Sequence, residues 1–248
     1  MSRLAALGLL VLCNCGGGPQ HIAVQVLVPD LNGVETPLPG IEVAALPYDR
    51  DSVLTALEHR AATGRPHTRE LDSLFQAFRD PFLRFSRAAW LVEQTERLRR
   101  DLIAKRAAAA PGSPGARELA LQLQRAEDSL RRLTPMLEHT RAALGAARDT
   151  LWPRIEQLRA DVRRWEHSTY AGYDTIGRRF ARDRLRLGVA DTTHATGWAN
   201  LELSSGRWWI YARSPDPQDP NAQWYWNVPA SADTIRLRPA TGRHLPRY

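Results

Sequence analysis

Seven aromatic side chains fall within 29 residues near the C-terminus: Trp198, Trp208, Trp209, Tyr211, Trp224, Tyr225 and Trp226. No other group of residues in the chain has types and spacing so suited to binding. On a strand, alternate side chains point to opposite faces. Trp208, Ile210 and Ala212 then share one face, and Trp209 and Tyr211 the other. Trp224 and Trp226 pair with Val228 and leave Tyr225 outside. An outward set of Trp209, Tyr211 and Tyr225 is a platform on which a sugar ring or a peptide stacks. The competing reading, which we favour, is that helices dock on the same face.

Other chemistry is sparse. Seven histidines are scattered, at 21, 59, 67, 139, 167, 194 and 244, and no pair has metal-ligand spacing around a carboxylate base. His59 and His67 flank a break and read as surface residues, and Glu166-His167 reads as a helix end. Asp216 and Asp219 sit in a polar loop at 215–220, too few acids for a calcium loop. No glycine-rich phosphate loop or dinucleotide fingerprint occurs, and no acid–base pair is recognisable. These observations predict a protein that is not an enzyme and carries no cofactor or metal.

The elements that position these residues begin with a seam. Leu119, Leu123, Ala126, Leu130, Leu133, Leu137, Thr140, Leu144, Ala147, Leu151, Ile155, Leu158, Val162 and Trp165 follow steps of four and three. That period lays one narrow stripe of a helix on a partner helix. Over 119–165 the helix is roughly 70 Å long. The partner lies upstream, from near Thr68 to Ala110, with Leu71, Leu74, Phe75, Phe78, Phe82, Phe85, Ala89 and Val92 at helical spacing. Pro111, Gly112, Ser113, Pro114 and Gly115 form the tip between them, with Ser113 a turn residue. Asp80-Pro81 predicts a kink or restart, and Pro135 and Pro153 predict kinks. The one fault in the alternation, Leu151 to Ile155, brackets Pro153. The second helix fades after Trp165. Shorter helices are expected within 49–62 and 174–187.

The flanks of this insertion alternate as strands do. At 21–28, Ile22, Val24, Val26 and Val28 share a face, and Asn32-Gly33 marks the following turn. Pro37-Leu38-Pro39-Gly40 leads into an alternating stretch at 41–46. This opening resembles that of carboxypeptidase-regulatory-like domains, which are small transthyretin-like β-sandwiches. The stretch 192–212 is similar to the family's second half, with Gly197 and Gly206 at successive hairpin turns and His194 where the family commonly has Asp. Closing strands are expected at 223–228 and 234–237. The resemblance covers 21–46 and 189–239. It implies an accessory or binding module without catalytic residues.

The first residues read as an export leader: Arg3, an apolar run at 4–12 too short to span a bilayer, then Cys13, Asn14, Cys15 and three glycines. This resembles a bacterial lipoprotein leader and implies cleavage before an acylated Cys15. Both cysteines lie in the leader, so the body has no disulfide or thiolate metal site.

The chain has 34 basic and 27 acidic residues for a net charge of +7, with Lys105 its one lysine. Acid and base alternate along the helices, which reads as a solvated face. It does not read as a nucleic-acid surface, and a surface for anionic lipid is the weaker reading.

The expected class is α+β: a transthyretin-like sandwich split by a long antiparallel coiled-coil hairpin. Residues 1–14 are the leader and 15–20 a lipidated linker. The sandwich halves are 21–48 and 189–239. The insertion is 49–188, with its hairpin at 67–166, and 240–248 is a tail. The expected function is an exported cell-envelope lipoprotein that binds or scaffolds. It is held at the membrane by its acyl cysteine and meets a protein partner or a second copy through the hairpin. The alternatives are a periplasmic adaptor of an efflux or secretion assembly, and a carbohydrate-binding or glycan-processing protein using the tryptophans.

Overall fold

The structure is a computed structural model and describes residues 18–248. The expected leader, Cys13 and the expected lipidation residue Cys15 lie outside the described residues.

Among the described residues the architecture is α+β, with two sheets on one core and four α-helices. In the first sheet, β1 (Gln20–Pro29) pairs antiparallel with β2 (Glu35–Pro37) and β5 (Trp198–Leu203). It pairs parallel with β8 (Thr234–Leu237). The second sheet is antiparallel throughout. Its order is β4 (Val189–Thr192), β3 (Glu42–Leu46), β6 (Trp209–Asp216), β7 (Asp219–Pro229) and β9 (Arg243–Pro246).

The period-two pattern decides which side chains go inside. Ile22, Val24, Val26 and Val28 of β1 meet Val43, Ala45, Trp208, Ile210, Ala212 and Trp226 in one shared cluster. Each fully buried Val or Ile there contributes about 1.5–3 kcal/mol. The turn after β1 is closed by Asp30, whose Oδ1 accepts from the N–H groups of Asn32 at 2.8 Å and Val34 at 3.0 Å.

Three sequence expectations about the β-domain change. The connections at Gly197 and Gly206 are not hairpin turns; each carries the chain from one sheet to the other. The 215–220 loop shrinks to a two-residue turn, because β6 and β7 extend to meet at Asp216 and Asp219. The tail is not free: β9 pairs with β7, where Arg243, His244 and Leu245 face Tyr225, Trp224 and Gln223. The exposed edge of a long strand is covered in this way.

The helices leave and return at one place. Ala45 pairs with Val189, so the insertion replaces the loop between neighbouring strands β3 and β4. It contains α1 (Arg50–Glu58), α2 (Arg69–Ala108), α3 (Pro114–Tyr170) and α4 (Tyr173–Asp183). Ser113 caps α3 by accepting from the Ala116 N–H at 3.2 Å, and Pro114 follows at the first helical position.

Neither long helix restarts at a proline. α2 runs through Pro81 and α3 through Pro135 and Pro153. Each interior proline costs about 3 kcal/mol against alanine. Around Pro81 and Pro153, burial offsets that cost. Phe78 packs on Trp152 with ring centres 5.4 Å apart, and Leu71 and Phe75 meet Ile155 and Val162. α3 also continues past Trp165 to Tyr170, because the Trp165 Nε1–H reaches the Thr63 carbonyl at 2.9 Å and its ring packs edge-on against Tyr170.

The β-domain has two ends. Gln20 pairs with Leu203 at one. At the other, Gln218 Nε2 donates to the Asp30 carbonyl at 2.8 Å, and Trp90 of α2 lines a hollow with Val28, Asp30, Leu38 and Pro217. Beyond Trp90, the buried residues Leu102, Leu123 and Ala126 pack on one another and on Leu119. α2 therefore continues for about 27 Å past the end of the β-domain opposite Gln20.

Candidate functional site

The outer face of the second sheet carries Tyr211 and Tyr225, whose rings meet edge-on with centres 5.7 Å apart. Asp49 begins α1 over this face. Its Oδ1 accepts from the Asp51 N–H at 3.1 Å and from Asn227 Nδ2 at 2.6 Å, so the helix cap is also a bond to the sheet. That places Arg50 against three rings, 4.6 Å from the centre of Tyr211, 5.1 Å from Tyr173 and 5.7 Å from Tyr225. Arg50 also donates to the Tyr225 hydroxyl at 3.1 Å, and that hydroxyl donates to Asp51. Asp51 accepts in turn from Arg243 Nη2 at 2.8 Å. Burial, then the hydrogen bond to Asp51, pushes the Tyr225 phenol up to about 12.

The three aromatic residues singled out in the sequence do not form one open platform. Tyr225 is 2% exposed, between Arg50 and Arg243. Tyr211 lies under Arg50. Trp209 is half-buried and lines a separate cavity with Phe180 and Arg184 of the α4 end. Helices occupy most of this face. At the turn between α2 and α3, Gly112 has φ +75°, and Ser113 is spent on the helix cap.

Beside the Arg50 cage is a cavity of about 810 Å³ between sheet, α1 and α3. Five arginines line it (50, 65, 213, 243 and 247) against three carboxylates, Asp51, Glu58 and Glu166. Glu166 is pushed above the usual carboxylate range by burial, which Arg65 and Arg213 oppose. Tyr170 donates to Glu58 and is also pushed up, first by burial. The charge balance suits an anionic group. The carboxylates are already engaged by arginine or tyrosine.

Compared with known proteins, the chain matches no family model, no curated protein and no solved structure.

A second polar group lies at the β6–β7 turn. His244 Nε2 is 2.7 Å from Asp216 Oδ2 under the Trp224 ring. Asp219 is raised by burial and lies 4.0 Å from Arg79 Nε. Asn221 is 1% exposed and neither side-chain polar atom is paired. A histidine held by a carboxylate is half of a nucleophile-activating arrangement. Ser214 is buried and its hydroxyl donates to the Pro215 carbonyl, so it supplies no free nucleophile. Among the described residues, no group of three or more His, Cys, Asp or Glu side chains has metal-ligand geometry.

Sequence reasoning missed Arg50, Asp51, Tyr173 and Arg243. The local signals were present: Asp49 three residues before Ser52 is a cap pattern, and 243–246 is long enough for a short edge strand. Their convergence is not local.

Asp49 gives a pH test. Burial raises its carboxyl, but hydrogen bonds from Ser52, Asn227 and two backbone N–H groups outweigh that and hold it below the usual range. A depressed carboxylate stabilises the fold above its unfolded value and loses that contribution as pH falls through the folded one. Between pH 5 and 2 the parent should therefore lose more unfolding free energy than Asp49→Asn. Urea titrations at stepped pH read this, and parallel curves would refute it.

Proposed function

We propose that the chain is a cell-envelope lipoprotein that presents a helical arm to a protein partner. In this reading the β-domain is a carboxypeptidase-regulatory-like, transthyretin-like sandwich. The arm is a coiled-coil hairpin inserted between two of its strands, and Cys15 carries the acyl anchor. The observation that carries the reading is the placement of the two ends. The described chain enters at Gln20, and the arm leaves past Trp90 at the opposite end. An anchor near residue 15 then holds the arm tip away from the membrane. No helix among the described residues is long and apolar enough to cross a membrane. The attachment we assign is an N-terminal acyl group, from the apolar run at 4–12 followed by Cys15 and three glycines.

The glycan-platform reading has less behind it, since Tyr225 is covered and Tyr211 carries Arg50. The adaptor reading differs only in the partner at the tip. Two measurements test the proposal. Cys15→Ala should move the protein from the membrane fraction to the soluble envelope fraction; unchanged partition in a variant also lacking Cys13 overturns the anchor. A photo-crosslinking residue at position 111 should give a discrete adduct in intact cells, and the same residue at 205 should not. Equal labelling at both positions overturns the arm's role. An outer-membrane channel in the adduct would identify the adaptor type.

A further inference from the structure

The helix α4 ends in an arrangement that the core and the cavity do not explain. The Arg186 N–H donates to the Ala181 carbonyl at 2.9 Å and the Leu185 N–H to the Arg182 carbonyl at 2.9 Å. This is a Schellman motif, in which the residue after the cap turns left-handed and is usually glycine. Here it is Leu185, with φ 50°. Its Cβ disfavours that backbone, and packing gives nothing back, because the side chain is 94% exposed. Leu187 is 80% exposed two residues later, and Phe180 shows its edge on the same helix end.

Arginines surround these leucines. Within 178–188 stand Arg178, Arg179, Arg182, Arg184 and Arg186, with Asp183 the one acid, and Asp183 lies 3.8 Å from Arg179. The charge excess that looked dispersed along the chain is concentrated here.

The position of this patch gives it meaning. The Arg186 guanidinium lies against Gly206, where an added Cβ would come within 1.8 Å of it, and it sits 6.0 Å from the Trp208 ring centre. This ties the 184–188 loop to the 204–208 turn. Leu203, just before that turn, pairs with Gln20. The exposed leucines, the arginines and the entry of the chain into the fold therefore share one end, opposite the arm.

The geometry points to this end as a membrane-contact face: Leu185 and Leu187 enter the acyl boundary of an anionic bilayer while the arginines meet lipid phosphates. The inference rests on the reading that the chain is anchored near its N-terminus. A tether holds a domain close to a surface but does not orient it. A second contact of apolar side chains and basic residues does both, and here it points the arm outward. A bilayer suits this patch better than a groove in a protein, because the leucines protrude and a lipid headgroup layer supplies both phosphate and hydrocarbon.

Flotation of the full-length Cys15→Ala chain, which lacks the acyl anchor, with vesicles tests this. We expect the bound fraction to rise about tenfold when one-third of neutral phosphatidylcholine is replaced by anionic phosphatidylglycerol, and salt to reverse the gain. Leu185→Asn with Leu187→Ser should cut the gain, and Arg182→Ser with Arg184→Ser should abolish it, each arginine being worth roughly fivefold in affinity for the anionic surface. Asparagine tolerates the left-handed backbone, so Leu185→Asn should melt no lower than the parent, which separates lost binding from lost folding. Equal binding to both vesicle types, or a full gain in the leucine variant, overturns the inference. Failure of the anchor reading looks different: Cys15→Ala then leaves cellular partition unchanged while the response to anionic lipid persists.

Discussion

Trp226→Ala should lower the unfolding free energy by about 4 kcal/mol, among the largest effects of any single truncation in the β-domain. The indole is 0% exposed and belongs to the cluster that both sheets share. Its Nε1–H donates to the Arg238 carbonyl at 2.8 Å, and an added Cβ at Gly242 would come within 2.5 Å of that nitrogen. The chain after β8 therefore wraps closely over the ring. Truncation opens a cavity at the centre of the core and removes one bond to the Arg238 carbonyl, which still accepts from the Thr241 N–H at 3.0 Å, so the cavity carries most of the loss. For a chain of this size, each kcal/mol shifts the melting temperature by about 2–4 °C. A fall of roughly 10–15 °C in a circular-dichroism melt is the expected reading. Trp226→Phe keeps most of the buried area and should lose about half as much. A Trp226→Ala melt within about 3 °C of the parent would show that the two sheets do not depend on this residue.

Gly197→Ala is the second. Gly197 has φ +75°, and a Cβ there would lie 2.9 Å from Pro37 Cβ, 3.0 Å from the Val26 carbonyl and 3.1 Å from the Leu38 nitrogen. Two of those atoms are backbone and already bonded, since the Leu38 N–H donates to the Val26 carbonyl at 3.0 Å and the Val26 N–H to the Gly197 carbonyl at 2.9 Å. The left-handed backbone costs alanine about 1 kcal/mol, and forcing the neighbouring chain apart costs about 1–3 more. The control is Gly40→Ala. Gly40 has φ +77° with nothing within 4 Å of the added Cβ, so it should lose only the backbone part. The difference between the two, read by urea unfolding, isolates the close approach of β1, β2 and the turn between the sheets. Equal losses would mean that the approach has room to relax.

Both sites explain what could be read ahead of the structure. Trp226 was assigned a face because strand alternation is a property of neighbours in the chain. Gly197 was recognised as a turn residue for the same reason, but as a hairpin turn. Which strand follows in which sheet depends on pairing, and β4 and β5 pair with different partners. The helices show the same division. The 111–115 tip, the N-cap at Ser113 and the buried seam residues Leu123, Ala126, Ile155, Val162 and Trp165 follow from local spacing. Whether Pro81 or Pro153 breaks a helix does not, because the contacts of Phe78 with Trp152 outweigh a local cost.

The sequence by itself determined the α+β class, the alternating core of β1, β3 and β6, the two long helices with their turn, and the absence of cysteine from the body. These rest on periodicity and residue chemistry, which short windows contain. Only the tertiary structure decided that Arg50 fills the space between Tyr173, Tyr211 and Tyr225, and that Arg243 closes it from the far end of the chain. It also decided that Leu185 and the arginines beside it stand at the entry of the chain, with the arm at the opposite end. Those placements are set by which distant segments pair, and pairing energy is not carried by any one segment.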